Sequence, residues 1–259
     1  MGITEFNRFC CLIKGGLVLE DIDKLASAIE TGTTLAHAAA HYGRLPKNFN
    51  QWDLKDNKGW TVAHVAAASG NLPEGFTQWN LADDRGWTVT HEAVKHGHLP
   101  EGFDQWALAD KSGWTIAHAA AHRGCLPENF DQWSLANNRG WTVAHSAAIY
   151  GCLPEGFGQW DLANKNGRTV AHEAACHGCL PADFDRWGLA NNVGWTVAHE
   201  AAQYDHLPKG FSQWNLATKY GWTVAHVGAA RDTLPSTFTQ WDLKDNRGFT
   251  VADALYNRR

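Results

Sequence analysis

Residues Gly59–Arg85 read GWTVAHVAAASGNLPEGFTQWNLADDR, and this 27-residue frame recurs through most of the chain. Its leading glycine returns at Gly32, Gly59, Gly86, Gly113, Gly140, Gly167, Gly194, Gly221 and Gly248, always 27 apart. Eight full repeats fill 32–247 of the 259 residues. With columns numbered from that glycine, column 3 is Thr at all nine starts, from Thr34 to Thr250. Column 6 is His in eight copies, His37 to His226, and Asp253 in the last. Column 15 is always Pro, column 18 Phe, column 21 Trp and column 23 Leu. A period of about 20–50 residues is the signature of a solenoid or array. Each copy therefore solves one packing problem in the same way. The organisation expected is an N-terminal helical cap over 1–31, eight repeats over 32–247, and a C-terminal cap over 248–259 that is a partial ninth repeat.

Within one repeat, Thr followed by V-A-H-x-A-A is a helix N-cap and then a short alanine-rich helix. Glycine at column 12, replaced by Asp205 and Asp232 in two copies, suits a left-handed C-terminal cap. Proline at column 15 suits the first turn of a second helix, which places Phe and Trp of columns 18 and 21 on one face. Leu at column 23 leads into a polar stretch with loop chemistry. Helices of two turns are unstable alone, so neighbouring repeats must bury them. Small alanines at columns 8 and 9 allow close stacking, with Phe and Trp filling the gaps. The stretch LVLEDIDKLASAIE near the N-terminus reads as a capping helix, and FTVADALYNRR as a helical C-terminal cap.

The run G-W-T-V-A-H-x-A-A-x-x-G resembles the ankyrin repeat's G-x-T-P-L-H-x-A-A-x-x-G, and N-L-A-D-D-R-G resembles the loop leading to its next copy. The resemblance covers 32–259. Val-Ala stands where the family has Pro-Leu, and the repeat is about six residues shorter than the usual ankyrin length. The resemblance implies an all-α repeat solenoid, an ankyrin-like stack of short helix pairs joined by polar turns, with a shortened outer helix. It also implies a non-catalytic protein-binding scaffold, and a column-6 histidine that hydrogen-bonds the threonine hydroxyl and nearby backbone.

Composition narrows the classes further. Apolar residues make up 44% of the chain, without a Gly-X-Y or heptad run, which excludes collagen, coiled coil and long disorder. No apolar run approaches a bilayer span. The N-terminal sequence carries no secretory signal pattern, and Phe6 stands where a myristoylation signal wants Ser or Thr. Six cysteines are too few for a disulfide scaffold, so a reduced, cytoplasmic setting is expected. Ankyrin-like arrays also occur in intracellular bacteria, so delivery into a host cell as an effector stays open. Eight stacked histidines read as structural, because helix spacing of about 10 Å far exceeds the ~2 Å reach of a metal. His91-Glu92 and His172-Glu173 lack a second histidine four residues on, so the zinc-protease pattern fails. Cys176-His177-Gly178-Cys179 is a single C-x-x-C, and Cys10-Cys11 reads as two small buried residues. No metal, cofactor or catalytic set is expected.

The net charge of −5 conceals a division between faces. Columns 26, 27, 2, 10 and 11 carry Lys58, Arg85, Lys95, Lys111, Arg123, Arg139, Lys165, Arg168, Lys219, Arg231 and Arg247, with Asp84 the one acid. The same columns hold Trp60, Trp87, Trp114, Trp141, Trp195 and Trp222. Columns 16, 17, 19 and 22 carry eleven acids, among them Glu74, Asp104, Asp131 and Asp161, against Lys47 and Lys209. Trp and Arg are enriched at binding hot spots, and in ankyrin repeats the equivalent loop tips and inner helices form the concave binding surface. The expected partner-binding residues are Lys58, Trp60, Arg85, Trp87, Lys111, Trp114, Arg123, Arg139, Trp141, Lys165, Arg168, Trp195, Lys219 and Trp222. The partner expected is another protein with an acidic and apolar surface, bound by a monomer and without a membrane. The alternatives are single-stranded nucleic acid stacked on the Trp row between cations, or a tryptophan row that only stiffens the loops.

Overall fold

The computed structural model describes residues 3–17, 25–27, 29, 32–98 and 102–256, apart from the side chains of Ile3, Thr4 and Phe6. The chain forms two compact units, Met1–Cys125 and Leu126–Arg259. The N-terminal unit contains α1 (Ile3–Lys14), α2 (Leu35–His41), α3 (Val62–Ala68), α4 (Val89–Lys95) and α5 (Ile116–Arg123), each packed on the next. The C-terminal unit contains α6 (Val143–Ile149), α7 (Val170–Cys176), α8 (Val197–Gln203), α9 (Val224–Arg231) and α10 (Val251–Tyr256), stacked in the same way. Both are all-α repeat stacks with the 27-residue period. The boundary at 125 falls inside the repeat that begins at Gly113, just past its helix.

Each short helix is completed by its neighbours. The first N–H groups of a helix have no partner within it. In α3 they are all taken: Val62 N–H donates to the Leu54 carbonyl (3.0 Å), Ala63 N–H to the Trp52 carbonyl (3.1 Å), and His64 N–H to Thr61 Oγ1 (3.3 Å). Thr61 is thus the N-cap that the sequence announces, in extended conformation. At the other end, the column-13 side chain of the following repeat meets the last carbonyls. Asn71 Nδ2 donates to the carbonyls of Ala40 and His41, His206 Nδ1 to Ala175, and Thr233 Oγ1 to Ala202. The alanine faces of α2–α9 are fully buried, for example Ala66 and Ala67, or Ala174 and Ala175.

The helix pair expected from columns 15–23 is corrected: among the described residues, each repeat has one helix. The L-P-x-x-F-x-Q-W segment runs as two successive turns, closed by Phe49 N–H to the Pro46 carbonyl and Leu54 N–H to the Gln51 carbonyl (3.0 and 3.3 Å). Gly75, with φ 75°, holds one such turn in a left-handed conformation that a helix cannot contain. The carbonyls of Trp52 and Leu54 are directed at the next helix N-terminus, which forbids an i→i+4 ladder of their own. Phe and Trp still pack, as a zipper of edge-on rings. In the C-terminal unit it runs Phe130, Trp133, Phe157, Trp160, Phe184, Trp187, with centroids 5.0–5.6 Å apart, a spacing suited to T-shaped pairs.

The ends differ from expectation too. Most of the capping helix expected over 17–30 lies outside the described residues. The helix α1 was not anticipated; its Ile13 is fully buried in the core with Leu25 and Leu35. Cys10 is half-buried, but Cys11 is exposed, because successive residues on a helix point about 100° apart. The C-terminal cap is helical as expected through Tyr256, and 257–259 lie outside the described residues.

Asp205 occupies the column-12 position at φ 61°, where Gly151 and Gly178 adopt φ 65° and 68°. A left-handed conformation costs an L-residue about 1–2 kcal/mol, and glycine's larger unfolded-state entropy returns about 0.5–1 kcal/mol of that. Asp205→Gly is therefore expected to stabilise the protein by about 0.5–1 kcal/mol. Thermal melting checks it; a lowered midpoint would contradict the strain.

Candidate functional site

The histidine column comes first, because it is the largest set of titratable groups in the core. His64 Nδ1 accepts from Thr61 N–H (3.3 Å) and lies 2.7 Å from Thr61 Oγ1, while Nε2 donates to the carbonyl of Trp87 in the next repeat (2.9 Å). His37, His91, His172, His199 and His226 repeat the arrangement, reaching Trp60, Trp114, Trp195, Trp222 and Phe249. The ring needs the neutral tautomer with hydrogen on Nε2. Burial pushes His37, His64, His91 and His172 below the usual histidine range, and His199 down to about 4, although the bond to the next carbonyl opposes the shift. These histidines are staples between repeats. In the last copy Asp253 takes both Thr250 N–H and Thr250 Oγ1–H (2.9 and 2.7 Å), an acceptor-only role that needs no following carbonyl. Among the described residues, no group of three His, Cys, Asp or Glu side chains is placed to hold a metal ion, and no disulfide joins the six cysteines.

The column-2 row is built on the same staple. Each tryptophan is half-buried and lies over its own repeat's histidine, with centroids 4.6–5.0 Å apart at Trp87–His91 and Trp60–His64. The preceding turn is held by column 25: Asp83 Oδ1 accepts from Arg85 N–H and Trp87 N–H (2.9 and 2.8 Å), which aims Arg85 outward and Trp87 inward. In the N-terminal unit an open cleft of about 560 Å³ gathers Trp60, Arg85, Trp87, Lys95, Ser112, Trp114 and His122 around Ala119. Columns 2, 7, 10, 25 and 27 therefore share one surface. Of the expected residues this cleft brings together Trp60, Arg85, Trp87 and Trp114. Lys58, Lys111 and Arg123 are exposed outside its lining.

Column 7, which the residue pattern did not single out, sorts the tryptophans. Trp87 Nε1 donates to Glu92 Oε2 (2.9 Å), Trp141 Nε1 to Ser146 Oγ (3.1 Å) and Trp195 Nε1 to Glu200 Oε2 (2.8 Å). Glu92 is 2% exposed and also meets Lys95 and His96. At Trp114 column 7 is Ala119, whose side chain offers the indole N–H no acceptor. The small alanine opens the cleft there. The signal was present in the sequence as Glu five residues after Trp or Arg in three copies.

Three expected binding residues have other duties. Arg168 is ion-paired with Glu173 and with Glu200 (Nη2 to Oε1, 2.9 Å), tying two repeats together. Burial alone would lower its pKa, and the bonds from Glu200 and Glu173 outweigh that and raise it. Lys219 Nζ donates to the Asn192 carbonyl (2.6 Å), and Lys111 Nζ to the Asp84 carbonyl (2.7 Å), as rungs between successive loops. Arg139 and Lys165 are exposed, and Trp141, Trp195 and Trp222 are half-buried. Because a Trp at 168 can give its indole N–H to Glu173 as Trp87 does to Glu92, Arg168→Trp is expected to change stability by less than about 1 kcal/mol. A loss of several kcal/mol in urea unfolding would show that the column-2 and column-7 pairs do not interchange.

A stack of single-helix repeats bearing a tryptophan-lined face defines the class, an all-α repeat solenoid. No family model matches the chain, and no curated protein matches it. Among the described residues no helix is long and apolar enough to cross a membrane.

Proposed function

We propose that the protein is a non-catalytic protein-binding scaffold that takes its partner on the column-2 tryptophan face, working in a reducing, cytoplasmic setting. The cleft around Ala119 carries this reading. It presents Trp60, Trp87 and Trp114 with Arg85 and Lys95 at its edge, the aromatic and cationic types that dominate binding hot spots. The ankyrin resemblance supports the same face.

The test is retention of partners on immobilised protein at low and high salt, with and without nuclease, for wild type and Trp114→Ala. The scaffold reading requires a protein retained at fixed stoichiometry after nuclease and weakened at least about tenfold by Trp114→Ala. A signal lost with nuclease would replace it by single-stranded nucleic-acid binding. Retention indifferent to Trp114→Ala would move binding off this face.

A further inference from the structure

The turn that positions the column-2 residues changes its charge along the chain while keeping its geometry. In the N-terminal unit the acceptor is Asp56, Asp83 or Asp110, with bonds of 2.8–2.9 Å to the two backbone N–H groups. In the first four turns of the C-terminal unit it is Asn137, Asn164 or Asn191, with bonds of 2.9–3.1 Å, and then Thr218 at 3.2–3.4 Å; the carboxylate returns in the last turn as Asp245, at 2.8–2.9 Å. A carboxylate makes the stronger, charge-assisted bond to an N–H, so turn geometry does not select the neutral residue. What the neutral residue changes is the surface charge.

Columns 25–27 of the three N-terminal turns hold four carboxylates against three cations. The four consecutive C-terminal turns at 137–139, 164–166, 191–193 and 218–220 hold Arg139, Lys165 and Lys219 and no carboxylate. The acids below them, Glu173 and Glu200, are buried and already matched by Arg168 and the Trp195 N–H. Among the described residues Arg139, Lys165 and Lys219 form no ion pair with a carboxylate, although Lys219 gives one N–H to the Asn192 carbonyl. Val193 (53% exposed) and Tyr220 (72%) stand at the tips of the same turns. Tyr204 (48%) lies against Cys176 at the helix end beside them.

We infer that this row of turns in the C-terminal unit docks an acidic stretch of polypeptide, its carboxylates meeting Arg139, Lys165 and Lys219 and its apolar side chains meeting Val193, Tyr204 and Tyr220. The inference rests on the scaffold reading and assigns the anionic part of the partner to one unit. The cations are sparse, with none in the turn at 191–193, which suits spaced carboxylates better than a phosphate on every nucleotide. The column-2 tryptophans each lie on a histidine of their own repeat, Trp195 on His199 and Trp222 on His226, so they do not present a free stacking platform for bases.

The full chain is titrated by fluorescence anisotropy with a labelled synthetic peptide of repeating Glu-Glu-Leu-Tyr, its Gln-Gln-Leu-Tyr counterpart, and oligo-deoxythymidine, each at low and high salt. Wild type is expected to bind the Glu peptide at least about tenfold more tightly than the Gln peptide, with the difference shrinking as salt rises. The combined variant Asn137→Asp, Asn164→Asp, Asn191→Asp keeps every turn acceptor, as the N-terminal unit demonstrates, and should retain its circular-dichroism spectrum. It should bind the Glu peptide at least about tenfold more weakly. Arg139→Gln with Lys165→Gln should act in the same direction. Equal binding of the two peptides by wild type, undiminished binding by the Asp variant, or tighter binding of the oligonucleotide than of the Glu peptide would each overturn the inference. If the triple variant still retains a nuclease-resistant, Trp114-dependent partner at full strength, the scaffold reading stands and only this assignment falls.

Discussion

Acidification from pH 7 to pH 4 should remove several kcal/mol of stability, with the steepest loss just below pH 6.5. His199 is neutral in the fold because its Nδ1 faces donors on Thr196 and its ring is buried. Protonation would set a new N–H against the Thr196 N–H in the case of His199. Burial holds the folded pKa of His199 at about 4, below the ordinary histidine value of 6.5. Between those values the unfolded chain binds the extra proton, so stability falls as pH falls. The contribution is fully present above pH 6.5 and gone below about pH 4. At 1.36 kcal/mol per pKa unit it is about 3 kcal/mol for this residue. His37, His64, His91 and His172 are lowered in the same direction by burial and add to the slope. Urea midpoints measured across this range check the claim. A His199→Gln variant, weaker at neutral pH, should show a visibly shallower pH dependence. Midpoints that stay flat from pH 7 to pH 4 would mean the rings are not buried neutral.

Trp160→Ala should cost about 3–5 kcal/mol, and Trp114→Ala far less. Trp160 is 8% exposed and meets Phe157 and Phe184 edge-on at 5.1 and 5.6 Å, so its removal opens a void in the ring zipper at two repeats. Its backbone carbonyl also accepts from Ala171 N–H, the second N–H of α7, so relaxation around the void strains that helix start. Trp114 is half-buried in an open cleft, and its packing is chiefly on His118 at 4.8 Å. Losing it exposes that ring but leaves the Thr115–His118 bond intact. Paired thermal melts decide the matter. If Trp114→Ala melts the protein as badly as Trp160→Ala, the column-2 row is structural and the scaffold reading loses its anchor.

Much of the candidate surface was legible in the columns. Arg85 at column 27, Lys95 at column 10 and Trp at column 2 fall on one surface because a repeat places equal columns in equal environments. The N-terminal cleft contains four of the expected residues. Counting charge by column misjudged the balance, because columns 7 and 25 belong to the same surface. Glu92 and Lys95 were legible as an i,i+3 pair on one helix, but Glu200 becomes a neighbour of Arg168 only when successive repeats are stacked. Arg168 was expected to face a partner, but its guanidinium is closed between two carboxylates.

By itself the sequence determined the period, the stacked α architecture, the threonine caps and the buried alanine faces. Each follows from local chemistry copied 27 residues on: a β-region threonine before an alanine run can cap a helix, and a two-turn helix has to stack. The tertiary structure alone decided what columns 15–23 become. Pro, Phe and Trp at those spacings fit a helix locally, but the carbonyls of Trp52 and Leu54 are drawn to the N–H groups of Ala63 and Val62 in the next repeat. Those N–H groups would otherwise be buried without partners, which costs more than a short outer helix returns. The second segment is therefore a pair of turns, because the hydrogen bonds that decide its shape lie between repeats.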